Sequence, residues 1–137
     1  MATKEKTAAK SFCLSRTQIK DAKDIKTEKV FVPEWADGNE EAYVLVKSLT
    51  AAERGTFEDA LVKPESRESG KIVMDMTLYG PKLAVYSMCD DEGNRLFTAD
   101  DVDMLAGKSA GALGRVVQKA MQLNGIVASA VVDAAKN

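Results

Sequence analysis

Two short β-prone runs stand ahead of a series of capped helical stripes, and that order limits the chain to an arrangement in which a hairpin lies on helices. Val30-Phe31-Val32 is stopped by Pro33, which has no N–H for a strand ladder and biases Val32 toward extended backbone. After the turn-rich Ala36-Asp37-Gly38-Asn39, the run Tyr43-Val44-Leu45-Val46 is again β-branched and aromatic. The two runs predict an antiparallel hairpin over residues 29–47, with a loop longer than the tightest kind. A hairpin alone is marginal in water, so it must lie on helices or pair with another subunit.

The helices follow from capping and periodicity. Thr50-Ala51-Ala52-Glu53 has the form of a capping box and predicts a helix over about 50–62, with Phe57, Ala60 and Leu61 facing inward. Lys63-Pro64 ends it, and the charged residues 65–70 read as a surface linker. Ile72, Met76, Tyr79, Leu83 and Tyr86 then recur at steps of four, three, four and three. This stripe predicts a helix over 71–89, kinked at Gly80-Pro81 or divided there into two short helices in line. Thr98 opens a helix over 98–106. Ser109 caps a last one over 109–124, where Leu113, Val116, Val117, Ala120 and Met121 share a face and Asn124-Gly125 is the stop.

The predicted fold is α+β and mainly α-helical, an N-terminal β-hairpin packed on a bundle of four to five helices. With 137 residues the chain fits one globular domain, assigned to 28–125, able to bury roughly 68% of its unfolded surface without disulfides or metals. Ahead of it, residues 1–27 form a basic, partly disordered arm. Disorder is expected over 1–11 and a short polar helix over Thr17 to Lys26, carrying Ile19, Ala22 and Ile25. Residues 126–137 form an apolar tail that reads as frayed helix or as an assembly surface.

The chain contains no histidine. It therefore has no side chain that titrates near neutral pH unperturbed, no Ser-His or Cys-His pair and no imidazole metal ligand. Cys13 and Cys89 are too few for a metal cluster and read as ordinary thiols. Glycines nowhere follow a strand to open a helix, so phosphate-cradling loops are absent. Asp90-Asp91-Glu92-Gly93-Asn94 suggests a calcium loop, but Arg95 stands at the sixth position where glycine is needed, and Asp101 replaces the bidentate glutamate at the twelfth. A turn leading to a helix start explains the same residues. No catalytic residue, cofactor or metal site is predicted, and binding without catalysis is the expected activity.

Charge is uneven along the chain. Through Lys29 there are eight basic residues against four acids, a net of +4, and the remaining eleven basic and seventeen acidic residues give −6. The arm's lysines alternate with acids and lack the aromatic interleaving that stacks bases, so no nucleic-acid partner is expected. No apolar run approaches the 18 or so residues of a membrane span, and the start lacks a secretory signal, which predicts a cytoplasmic location without membrane association. Candidate partner-binding or self-association residues are Trp35 and Tyr43 on the hairpin and Leu113, Val116, Val117 and Met121 on the last helix. The alternative for each is packing within the core, with Trp35 clamping the hairpin onto the helices.

Five segments in order resemble the tail assembly chaperones of siphophages and prophages. Val32-Pro33-Glu34-Trp35 and Leu49-Thr50-Ala51-Ala52-Glu53-Arg54 look like that family's opening. Asp90 to Phe97, Asp100-Asp101-Val102, and Lys108-Ser109-Ala110 with Leu113 look like its second half. The resemblance covers residues 28–125 and departs from the pattern at Ala36-Asp37 and beyond Gly125. It implies a protein made in the host bacterial cytoplasm that transiently binds the tape measure protein, helps recruit tail tube protein subunits, and is absent from the mature virion. Reversible cover of such a partner needs modest affinity per copy and many copies, which predicts a homo-oligomer, and in this family a longer product often arises by frameshifting near the gene's end. A structural tail component retained in the virion is the alternative.

Overall fold

The structure, a computed structural model, describes residues 10–127, 129 and 131. The expected disorder before residue 10 and most of the expected apolar tail lie outside the described residues. In chain order the elements are α1 (Arg16–Asp21), β1 (Thr27–Phe31), β2 (Tyr43–Lys47), α2 (Ala51–Asp59), α3 (Pro64–Ser69), α4 (Tyr79–Ser87), β3 (Met88–Cys89), α5 (Val102–Ala106) and α6 (Ala110–Leu123). Short 3-10 turns occupy Pro33–Trp35 and Ala99–Asp101. The fold is α+β and mainly helical, as the patterning predicts.

The predicted hairpin is present. β1 and β2 pair antiparallel from Thr27 opposite Lys47 to Phe31 opposite Tyr43. The sheet gains a third strand that the sequence reading lacks: β3 places Cys89 opposite Leu45 and Met88 opposite Val46, making β2 central. Strand alternation turns Val30 and Val46 inward, where they join a core that includes Phe57, Leu61, Leu83, Met88, Leu105, Leu113 and Val116. The aromatic centre of that core is Phe57, edge-to-face with Tyr79 at 5.3 Å and with Tyr86 at 5.8 Å.

The capping box at the start of α2 forms in both directions. Thr50 Oγ1 accepts the Glu53 N–H at 3.1 Å, and Glu53 Oε1 accepts the Thr50 N–H at 2.9 Å. Ser109 Oγ likewise accepts the Ala112 N–H at 3.3 Å to open α6. The predicted helix over 98–106 is a 3-10 turn capped by Thr98 and running directly into α5.

Two expectations are corrected. Residues 71–78 are not helical, so neither the kinked helix over 71–89 nor a pair of helices in line exists. Gly70, left-handed at φ 81°, ends α3, and the chain then runs extended beside residues 61–63. Lys63 donates its N–H to Val73 O at 2.8 Å, Asp75 donates to Leu61 O at 2.6 Å, and Val62 bridges Met74. With those backbone partners, Met74 and Met76 face the core at a strand's period of two, while Ile72 is exposed. The helix begins only at Tyr79, which puts Pro81 in the first turn, where an N–H has no intrahelical partner to lose. The supposed linker 65–70 is itself helical as α3: Pro64 sits at its first position, and Ser66 is buried with its hydroxyl donating to Lys63 O at 2.6 Å.

α6 is held to the rest of the fold along its middle turns. Gly80 lets α4 approach it closely, since a Cβ there would stand 3.4 Å from a Val117 methyl. Glu34, in the first 3-10 turn, pairs with Arg115, and Glu28 on β1 pairs with Lys119 at 3.1 Å.

Candidate functional site

The six candidate residues separate by burial. Leu113 and Val116 are core residues, Val116 fully enclosed, and Leu113 also lines, with Gly80, Pro81 and Val117, an apolar groove of about 370 Å³ between α4 and α6. The reason lies in the helix itself. The stripe that made α6 look like an interface is the face it turns to the sheet and α4. Val117, Met121 and Trp35 are half-buried and pack against the same core. The Trp35 indole N–H is buried without a hydrogen-bond partner among the described residues.

Tyr43 alone of the six presents an exposed side chain. It lies on the outer face of the hairpin, edge-to-face with exposed Phe31 at 5.9 Å, and the Lys29 ammonium sits 4.6 Å from its ring centre. Phe31 was read only as a strand former. Its position opposite Tyr43, one residue off the inward-facing Val30, was available from the period-two pattern once the register is known.

Two further apolar grooves lie outside what the sequence predicts. One, of about 280 Å³, runs between α4 and the segment from the second 3-10 turn into α5; Leu78, Val85, Tyr86, Ala99 and Val102 line it and Asp103 stands at its rim. The other, of about 140 Å³, is lined by Phe57, Leu61, Met74, Met76 and Tyr79, with Ile126 and Val131 of the chain's own end beside it. The second depends on Met74 and Met76 lying on extended backbone, where the stripe predicts helix.

The charged groups have structural occupations. The Asp90 carboxylate accepts the N–H groups of Glu92 and Asn94, both at 2.9 Å, and the bond from Asn94 leads in holding it below the usual carboxylate range. The acidic segment is thus a turn built by its first aspartate, the alternative to calcium binding. Glu53 accepts from Lys47 at 3.5 Å and lies 3.7 Å from Arg95. Burial disfavours its charge, but the Thr50 N–H, Lys47 and Arg95 together hold its carboxyl below the ordinary value. Burial pushes the Cys89 thiol up. No helix among the described residues is long and apolar enough to cross a membrane.

The fold is thus a small α+β domain in which Asp90, Glu53 and Ser109 serve its own turns and caps and apolar grooves open between its helices. A family model described as phage tail assembly chaperone matches residues 14–137, and the chain belongs to that family. Its members are chaperones and not enzymes, and their partners are proteins of tail assembly. Among solved structures, the tail assembly chaperone of bacteriophage HK97 is similar in fold, with a TM-score of 0.50 at 17% identity over 78% of this chain and 94% of that one. No curated protein matches the sequence.

Proposed function

We propose that the protein transiently binds the tape measure protein during tail morphogenesis, keeps it soluble, and helps recruit tail tube subunits around it. Family membership carries this reading. Physical chemistry supports it: a long helical ruler exposes apolar stripes before the tube closes, and shallow apolar grooves cover such stripes reversibly. Reversible release requires modest affinity per copy, with many copies supplying avidity, so the protein acts as a homo-oligomer. It works in the host bacterial cytoplasm and leaves before the virion of a siphovirus is complete.

The alternative, a tail component retained in the virion, would use the same surfaces but persist. Quantitative mass spectrometry of lysates and purified particles separates the two. The chaperone reading expects the protein in lysates and its loss from particles. A fixed copy number per particle would establish the structural component instead.

A further inference from the structure

Residues 10–29 are exposed throughout, yet they carry Phe12, Leu14, Ile19 and Ile25, which are 75%, 55%, 61% and 45% exposed. Ile19 lies on α1, which buries no residue of its own. The helix is nonetheless specified: Gln18 donates its N–H to Ser15 Oγ at 3.2 Å, and Ser15 donates its N–H to Gln18 Oε1 at 2.8 Å. A six-residue helix is marginal alone in water, and four large apolar side chains within fourteen residues need a surface to lie on. Ile25 finds one beside Leu49 and Ala51 of its own chain, whereas Phe12, Leu14 and Ile19 line no hollow found among the described residues. From Lys10 to Lys26, ahead of β1, there are five basic residues and two acids, a net of +3.

The complementary feature is the groove between α4 and α5. Its walls are apolar, with Val85, Tyr86, Ala99 and Val102 among them, and the one ammonium there, that of Lys82, donates to Ala60 O at 3.2 Å. Along one wall, from Ala99 to Asp103, the chain carries Asp100, Asp101 and Asp103 and no basic residue. We infer that the arm of one copy docks in the α4–α5 groove of a second copy, with Phe12, Leu14 and Ile19 against the apolar walls and the arm's lysines over the acidic rim. This rests on the self-association proposed above and specifies its geometry. An arm-to-groove contact is head-to-tail, so each copy keeps one free arm and one free groove, and the assembly extends as a ring or a filament. Such growth suits a protein that covers a long helix.

The test uses the full chain in light scattering at increasing concentration. One variant carries Phe12→Ser, Leu14→Ser and Ile19→Ser; the other carries Ala99→Arg and Asp103→Lys, both at exposed positions of the groove. Circular dichroism verifies that each is folded. The wild-type chain is expected to associate more weakly in high salt, and each variant to lose association by on the order of 100-fold or more. Mixing the two variants restores one intact arm and one intact groove, and a 1:1 heterodimer is expected. A wild-type chain that stays monomeric overturns the proposal together with the self-association beneath it. Association that survives either variant, or a mixture that stays monomeric, overturns the arm-to-groove contact and leaves self-association standing.

Discussion

The side-chain carbonyl of Asn124, at the end of α6, accepts the backbone N–H of Leu49 at 2.8 Å, while its amide nitrogen donates to Ala120 O at 2.7 Å. One side chain thereby closes the last turn of α6 and fixes the segment that leads into α2, 75 residues earlier. Arg54 strengthens the junction by donating to Asn124 O at 3.3 Å. Leu49 is buried, so Asn124→Ala leaves its N–H without a partner and is expected to lower unfolding free energy by about 1–3 kcal/mol. Urea denaturation followed at the single tryptophan measures it. Asn124→Asp keeps the acceptor but loses the donor to Ala120, and is expected to fall between the two.

Phe57 fills the space between α2 and α4 and makes both edge-to-face contacts of the core. Phe57→Ala is expected to cost about 3–5 kcal/mol, enough to leave a protein of ordinary stability largely unfolded. Phe57→Leu retains most of the volume and should remain folded with a lower midpoint. Thermal unfolding by circular dichroism distinguishes them.

Trp35 combines a packed ring with a buried indole N–H that has no partner among the described residues. Trp35→Phe removes the unsatisfied donor and keeps most of the shape, so stability is expected to be unchanged or slightly higher. Trp35→Ala removes the packing and is expected to cost at least about 2 kcal/mol. Equal losses for the two variants would contradict the account of Trp35 as a hairpin clamp.

Glu53 sets an acid dependence of known sign. Its folded carboxyl titrates below the ordinary 4.5, so on acidification the unfolded chain takes up the proton first. The stability it contributes is present above about pH 4.5 and is lost as pH falls through the lower folded value. Glu53→Gln keeps an oxygen for the Thr50 N–H but loses the charge facing Lys47 and Arg95. Urea midpoints from pH 7 to pH 3 should therefore decline less steeply in the variant.

The two thiols are expected to differ in reactivity. Cys13 is exposed, whereas Cys89 is buried on β3 with its pKa raised by burial. Under native conditions a thiol-specific reagent should modify one cysteine promptly and reach the second only at the rate of opening.

Much of the fold was legible because local and global signals agree at particular residues. Thr50 with Glu53 and Ser109 mark helix starts by hydrogen bonds each can form locally, and the β-branched runs around Val30 and Val44 mark the hairpin. Residues 71–78 are ambiguous in sequence because Met76 fits both a helical stripe and an extended segment. The choice is made by Leu61 and Lys63, backbone partners distant in sequence. β3 is two residues long, too short to carry a period. At the binding surface, the apolar face of α6 was the strongest signal and proved to be core at Leu113 and Val116. Periodicity identifies a face that must be covered without saying whether the cover is the chain's own sheet. The exposed Phe12 and Leu14 carry no periodic signal at all.

The central claim is that this chain keeps a tape measure protein soluble by covering its apolar stripes. The direct measurement is the soluble fraction of the tape measure protein from the same tail gene cluster, expressed with and without this chain, with the complex then isolated by size exclusion. The account predicts insoluble tape measure alone, soluble tape measure in co-expression, and several copies of this chain bound along it. Tape measure that is equally soluble without the chain, or that elutes free of it, would contradict the account.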